Sequence, residues 1–136
     1  MRTLSVLLVE DDLIEVMKLV RATKSLLLNH QINEASNGEE ALKILQKKDN
    51  LPDIILLDLN MPKISGIEFL KILKLDERLK YIPTIVLTTS NNQRDLLECY
   101  KIGIAGYVLK PLKYDEYVSK IDKLLSYWSV NELMTL

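Results

Sequence analysis

The chain has 136 residues, of which 48% are hydrophobic and 27% charged, with 18 basic and 19 acidic side chains and a net charge of −1. This balance is typical of one globular domain and excludes both a disordered chain and a strongly basic nucleic-acid surface. The single cysteine, Cys99, excludes an internal disulfide, and no apolar run approaches the roughly 20 residues of a membrane span. We therefore expect a cytoplasmic protein that contacts neither nucleic acid nor membrane.

The first half of the chain alternates between strand and helix patterns. Residues 5–9 form a continuous apolar run that stops at three acids, Glu10, Asp11 and Asp12. An apolar run without alternation is typical of a strand covered on both faces, as in a parallel sheet. The next segment is helical in spacing, and its predicted buried face is formed by Leu13, Val16, Met17, Val20 and Leu27. Residues 31–35 predict a second strand, at an edge of the sheet, and a short helix follows.

The second half repeats this alternation three times. Residues 53–57, 84–87 and 106–109 predict three more strands, each followed by a helical pattern. The last helix is predicted to bury Tyr117, Ile121, Leu124, Leu125 and Trp128. Five alternations with short connections predict an α/β fold, a doubly wound five-stranded parallel sheet with helices on both faces. We expect one domain over residues 1–128, then a hydrophobic C-terminal tail at 129–136 and no effector domain.

Polar residues stand at the ends of four of the predicted strands. They are Glu10 and Asp11 after the first strand, Asp58 after the third, Thr88 after the fourth and Lys110 after the fifth. Open parallel sheets bind their ligands at this edge. Each residue also has a simpler interpretation, since acids cap helices, threonine favours strands and a lysine before proline is usually solvated. We accept capping for Asp12, but the coincidence of all five others at one edge favours a joint site.

The chemistry of this set predicts a cation and a phosphoryl group. Two carboxylates about 4 Å apart repel by roughly 4 kcal/mol at an effective dielectric of about 20, so a proton or a cation must offset their charge. Oxygen ligands without histidine or cysteine favour Mg²⁺. Asp58 is the central residue and can act as the nucleophile that forms an aspartyl phosphate. Mg²⁺ held by Asp11 and Asp58, together with Lys110 and a hydrogen bond from Thr88, would then stabilise the phosphoryl oxygens.

Four segments resemble the motifs of bacterial two-component receiver domains and follow one another in the order of that family. They are LLVEDD at 7–12, LLDLNMP at 56–62, VLTTS at 86–90 and GYVLKP at 106–111. The resemblance extends from about Val6 to Trp128. It implies the flavodoxin-like receiver fold with strand order 2-1-3-4-5. It also implies a phospho-accepting signalling switch, with autocatalytic phosphorylation and self-dephosphorylation, rather than an enzyme that turns over substrate.

The resemblance assigns metal ligands residue by residue. Asp11 and Asp58 are direct Mg²⁺ ligands, Glu10 acts through water, and the backbone carbonyl of Asn60 completes the protein ligands. Glu10 stands where aspartate is commoner in the family. Ser65 stands where the family often has aspartate before the helix, and serine can still cap that helix.

The same resemblance assigns the residues that bind phosphate and respond to it. Thr88, Thr89 and Lys110 bind phosphoryl oxygens. Thr88 and Tyr107 form a switch pair, in which the hydroxyl moves to the phosphoryl group and the aromatic ring turns inward. The family also has a cis peptide bond at the position before Pro111.

The tail and the resemblance together suggest partners. Val130, Leu133, Met134 and Leu136 make the C-terminus unusually apolar, which resembles the single-domain regulators associated with bacteriophytochromes. Tyr114 and Val118 also lack an obvious core partner. We expect a homodimer through the last helix and tail, although a tail folded over its own domain is an equal alternative. The family implies a sensor histidine kinase or phosphotransfer protein as donor and a downstream protein target.

Two other functions are compatible with parts of the pattern. A phosphohydrolase of the haloacid-dehalogenase type also uses a strand-end aspartate, but its second aspartate, two residues later, is here Asn60. A pseudo-receiver that signals without phosphate is disfavoured by the complete set of site residues. His30, in the predicted loop before the second strand, is interpreted as a solvent-exposed histidine.

Overall fold

The computed structural model describes residues 2–47 and 49–134. The strands in these ranges are β1 (Ser5–Val9), β2 (Gln31–Ala35), β3 (Ile54–Leu57), β4 (Thr84–Thr88) and β5 (Gly106–Leu109). The helices are α1 (Leu13–Ser25), α2 (Gly38–Gln46), α3 (Gly66–Leu75), α4 (Gln93–Ile102) and α5 (Tyr114–Ser129), with a 3₁₀ turn at Leu79–Tyr81 before β4. None of the helices in the described ranges is long and apolar enough to cross a membrane.

The strands form one parallel sheet in the order β2-β1-β3-β4-β5. This confirms the doubly wound, flavodoxin-like fold and the strand order that the motifs implied. Val9 lies opposite Ala35 on one side and opposite Leu57 on the other, so β1 and β3 end at the same level. The direction of chain progression reverses between these two strands, which is where doubly wound sheets form their ligand crevice.

Two apolar layers cover the sheet, because alternate side chains of a strand point to opposite faces. Leu7 and Val9 belong to the layer that α2, α3 and α4 cover, called here the α2–α4 layer, with Phe69 as its largest buried side chain. Val6 and Leu8 belong to the layer under the helix pair α1 and α5, called here the α1–α5 layer, where Tyr117 is buried. These layers hold the carboxyl ends of β1, β3 and β4 rigidly.

The buried face of helix α1 differs from the predicted one. Val16, Leu19 and Ala22 are buried, whereas Leu13 is 73% exposed and Met17 is 69% exposed. Apolar residues occupy two neighbouring stripes of this helix, and the stripe that contains the small Ala22 faces the sheet and α5. Periodicity alone does not choose between two adjacent apolar stripes, so the second one remains at the surface.

Helix α5 and the start of the tail also differ in part from the prediction. The predicted core residues of α5 do contact the α1–α5 layer, but so do Tyr114, Val118 and Leu133, which were expected to lack a partner. The chain turns back after α5, and Ser129 accepts a hydrogen bond from the backbone of Arg2 at 3.1 Å. This turn brings Leu133 onto its own domain. Met134 is 63% exposed, and the prediction for Leu136 lies outside the described residues.

His30 is not the exposed loop residue that the sequence predicted. It is half-buried, and its Nδ1 atom accepts a hydrogen bond from the backbone N–H of Leu4 at 2.9 Å. Burial lowers the pKa of this imidazole from its ordinary value. The difference arises because the residues before β1 cover the loop before β2, a contact between distant segments.

Candidate functional site

The three predicted carboxylates meet where β1 and β3 end. One oxygen from each of Glu10, Asp11 and Asp58 lies within 4.8 Å of the others. Glu10 and Asp58 are buried, and Asp11 is exposed. Asp12 turns away to cap α1, accepting a hydrogen bond from the N–H of Ile14 at 2.9 Å, as the capping interpretation predicted. The cluster therefore contains two buried acids under one that solvent reaches.

The loop after β3 fixes the backbone of Asp58 through a close approach of α3. A Cβ atom on Gly66 would lie 2.5 Å from the carbonyl oxygen of Asp58 and 2.6 Å from Cα of Leu59. The Gly66 N–H donates to the carbonyl of Leu59 at 3.0 Å, and Ser65 caps the helix by accepting from the N–H of Glu68 at 3.2 Å. Only glycine allows this contact, so residue 66 positions the predicted phosphoacceptor.

Lys110 reaches this cluster from the end of β5. Its Nζ atom lies 2.6 Å from Oε1 of Glu10 and 3.5 Å from Oε2 of Glu15, and its side chain is only 6% exposed. The sequence prediction included Lys110 and Glu10 but missed Glu15. Glu15 is a polar residue in the first turn of α1, and nothing in the local sequence pattern distinguishes it from a solvent-exposed acid.

Burial and mutual repulsion shift the pKa values of these groups. Burial raises the pKa of Glu10 to about 7, although its hydrogen bond to Lys110 and the charge of Lys110 oppose the shift. Burial also raises the pKa of Asp58, against the charge of Lys110 and a hydrogen bond from Thr88. Burial would lower the pKa of Lys110, but the hydrogen bond and charge of Glu10 raise it, with Asp58 and Glu15 adding to them. The acids therefore exceed what one ammonium neutralises, a condition that a divalent cation relieves.

The hydroxyl and aromatic residues of the prediction lie at the end of β4 and on β5. Thr88 is fully buried, and its Oγ1 accepts a hydrogen bond from the N–H of Ser90 at 3.2 Å. Tyr107 is half-buried against the α2–α4 layer, and its hydroxyl donates to the carbonyl of Ser90 at 2.8 Å. Thr88 and Tyr107 are therefore connected through the backbone of Ser90. The peptide bond before Pro111 is trans, since no described peptide bond is cis, so the expectation of a cis bond is wrong.

An open pocket of about 260 Å³ brings most of the predicted residues together. It is lined by Glu10, Asp11, Asp12, Glu15, Asp58, Asn60, Thr89 and Lys110. Thr88 is buried at the end of β4 and is not one of the residues that line this pocket. Tyr107 does not reach the pocket and instead lines two grooves on other surfaces. The pocket is polar and shallow, as suits a small charged group rather than an apolar ligand.

Comparison with known proteins identifies the class. Residues 6–122 match the family model of the response regulator receiver domain. The chain belongs to this family, whose members are signalling switches of two-component systems.

Relatives and solved structures agree with this class. The probable methanogenesis regulatory protein FilR2 of Methanothrix harundinacea is 35% identical over 127 residues, which cover 90% of this chain and 82% of FilR2. The phosphorylated cyanobacterial phytochrome response regulator RcpA superposes with a TM-score of 0.91 at 29% identity, covering 98% of this chain and all of RcpA (100%). The Mn²⁺-bound form of response regulator Rcp1, a protein of Synechocystis sp., gives a TM-score of 0.88 at 30% identity, covering 97% of this chain and 99% of Rcp1. The chain therefore has phytochrome-associated response regulators among its structural neighbours.

Proposed function

We propose that this receiver domain is a stand-alone response regulator that accepts a phosphoryl group on Asp58, with Mg²⁺ as cofactor. The observation that carries the proposal is the meeting of three carboxylates within 4.8 Å beside a buried lysine at the ends of parallel strands. A sensor histidine kinase or a phosphotransfer protein would be the donor. Two structural neighbours, the phosphorylated RcpA and the Mn²⁺-bound Rcp1, support both parts of the proposal.

The donor set of the pocket fits Mg²⁺. All of its ligand atoms are oxygens, and the raised pKa of Glu10 reflects buried negative charge that a cation would relieve. Asp11, Asp58 and the carbonyl of Asn60 would hold the ion directly. Glu10 would act through water, because Lys110 and the N–H of Asp12 already engage its two oxygens. When bound, Mg²⁺ offsets the negative charge on phosphoryl oxygens.

Phosphoryl transfer itself asks the protein for a nucleophile and for charge stabilisation. A carboxylate oxygen of Asp58 forms a bond to phosphorus while the bond between phosphorus and the donor's histidine nitrogen breaks, and the electron pair leaves with that nitrogen. Lys110 would bind one phosphoryl oxygen. The hydroxyl of Thr88 would donate to another, and Thr89 lines the same pocket.

The surface beside the pocket supports a protein as the phosphoryl donor. Leu13, Ile14 and Met17 of α1 are exposed and apolar, and they adjoin the pocket residues Asp12 and Glu15 in sequence. Exposed apolar residues grouped at the rim of a polar pocket are typical of a surface that a partner covers. A donor that delivers phosphate to Asp58 would cover this rim.

The signal would leave through the face formed by β5 and α5. Movement of the Thr88 hydroxyl to the phosphoryl group would break its hydrogen bond with Ser90, which Tyr107 also contacts. The groove between β5 and α5 has a volume of about 580 Å³ and includes Leu109 and Tyr127. A downstream protein or a second copy of the chain would bind there. The domain over 1–128 and the tail at 129–136 remain a prediction.

Phosphorylation of Asp58 can be tested with acetyl phosphate and Mg²⁺. Intact-mass measurement should show the addition of one phosphoryl group to the wild-type protein and to Asp115→Asn, which changes an exposed aspartate of α5. Asp58→Asn should not react, because an amide is a poor nucleophile, and a chelator should prevent the wild-type reaction.

Two results would contradict the proposal. The first is equal labelling of Asp58→Asn and wild type. The second is sustained hydrolysis of phosphomonoesters that depends on Asp58, which would indicate a phosphohydrolase; with Asn60 in place of a second acid, we expect no such turnover.

A further inference from the structure

Glu15 lines the pocket but is not one of the three grouped oxygen donors. Its Oε2 atom is buried and accepts no hydrogen bond from any described residue. The ammonium of Lys110 lies 3.5 Å from that atom, and the ammonium of Lys18 lies 3.6 Å from the other carboxylate oxygen. A buried carboxylate oxygen without a donor is costly unless a positive charge is near, so the placement of Glu15 depends on Lys110.

The three N–H donors of the Lys110 ammonium have different surroundings. One donates to Glu10 at 2.6 Å. Glu15 attracts the ammonium from a second direction. The distance of 3.5 Å between Nζ and Oε2 is too long for a good hydrogen bond but within the range of an ion pair. These two carboxylates restrict the orientation of the ammonium and leave a third donor for the side of the pocket where Asp58 lies.

We infer that Glu15 is a positioning residue whose carboxylate holds the ammonium of Lys110 in place, with one N–H directed at the group carried by Asp58. The inference rests on the proposed function, since it gives Glu15 a part in phosphoryl transfer. Glu10 is a poorer candidate for this part, because its carboxylate belongs to the group of three acids that would surround the cation and would face its water ligands as well as Lys110. Glu15 lies outside the grouped donors and stays available to Lys110.

Two variants of Glu15 separate charge from size. Glu15→Gln keeps the volume and removes the charge, whereas Glu15→Asp keeps the charge on a shorter side chain. The rate of phosphorylation by saturating acetyl phosphate with Mg²⁺ should fall roughly three- to tenfold in Glu15→Gln, because the lysine is less well aligned. Glu15→Asp should recover most of the rate. Glu98→Gln, which removes an exposed ion pair with Lys71 across α3 and α4, is the matched control and should react as wild type.

A second measurement does not depend on phosphorylation. The ¹⁵N resonance of the Lys110 ammonium in the metal-free protein should shift or broaden in Glu15→Gln and not in Glu98→Gln, because an ammonium held by fewer partners exchanges faster. A wild-type rate in Glu15→Gln, an equal loss in Glu15→Asp, or an unchanged Lys110 resonance would overturn the inference. Failure of the wild-type protein to accept phosphate would instead overturn the proposed function, and the Lys110 resonance would still test the contact.

Discussion

A single hydrogen bond from Leu4 makes His30 sensitive to pH. The imidazole accepts this bond at Nδ1, so the atom must be unprotonated in the folded protein. Burial lowers the folded-state pKa of His30, whereas the unfolded chain has the ordinary value of about 6.5. The unfolded state therefore binds the proton more readily, and the stability that neutral His30 contributes is complete above pH 6.5 and declines as pH falls below about 6.5.

We expect the free energy of unfolding of the wild type to fall, relative to His30→Asn, as the pH is lowered below about 6.5. Asparagine offers an acceptor near the position of Nδ1 but does not titrate, so it is the matched comparison. Urea unfolding at a series of pH values measures the difference. If the two proteins lose stability in parallel over this range, protonation of His30 does not contribute.

The residues that the sequence predicted correctly and those that it missed differ in a physical way. Asp11, Asp58 and Lys110 follow strands directly, so strand prediction and sheet geometry already place them at one edge. Glu15 occupies an ordinary polar position of an amphipathic helix, and only the burial of Lys110 distinguishes it. His30 gains its partner from the segment before β1, a contact that no local pattern predicts.

The amino-terminal end of α3 shows how one element positions another. This helix begins at Gly66, which lies very close to the backbone of Asp58 and Leu59. A side chain at residue 66 would therefore have to displace that backbone. Backbone cannot yield as the end of a flexible side chain does. We expect Gly66→Ala to lower the free energy of unfolding by roughly 1–3 kcal/mol and to slow phosphorylation of Asp58 by moving its backbone.

Gly106→Ala is the matched control for Gly66→Ala. A Cβ atom on Gly106 would lie 3.6 Å from Cγ2 of Ile85, an ordinary packing contact. We expect this variant to change stability by less than about 0.5 kcal/mol, as is usual for substitutions that create no clash. Chemical denaturation measures the free energy of unfolding of both variants. Equal values would show that the close approach of backbone atoms to Gly66 does not restrict this position to glycine.

Helix α1 shows where patterns at the scale of an element are ambiguous. Its apolar residues cover more of the helix than the sheet can bury, and the buried stripe runs through Val16 and Leu19 rather than Leu13 and Met17. The placement of helices on both faces of the sheet was predictable, because it depends on many residues at once, whereas the strand order came from the family resemblance of the motifs. The rotation of one helix depends on a few packing contacts with its neighbours, here those with α5.

At the scale of the whole molecule, the site exists only when the fold is complete. Glu10 and Lys110 are 100 residues apart in sequence, yet their side chains meet at 2.6 Å. The same topology places the polar pocket at the carboxyl end of β5, where Lys110 lines it, and the β5–α5 groove along the strand as far as Leu109. Lys110 follows β5 directly, so the pocket and the β5–α5 face share this strand. Phosphate can shift the conformation of that face only if the two conformations of the domain bind phosphate with different affinities.

The exposed apolar residues of α5 and the tail define the proposed dimer surface. Tyr114, Val118 and Leu133 no longer belong to it because they pack internally, which leaves Tyr127, Val130 and Met134, each at least 60% exposed. A second copy of the chain would bury these side chains and lower their exposure to water. Truncation would also remove Leu133, so point substitutions test the surface more cleanly.

We expect the wild-type protein to sediment as a dimer, with dissociation to monomers in the double variant Tyr127→Asp with Met134→Asp, because two charges would have to be desolvated at the interface. Leu75→Asp, which changes an exposed leucine at the end of α3, away from this surface, should remain dimeric. Sedimentation velocity at matched concentrations, with and without beryllofluoride as a phosphoryl mimic, measures all three proteins. A wild type that is monomeric in both conditions would exclude the dimer and leave a downstream protein as the proposed partner of the β5–α5 face.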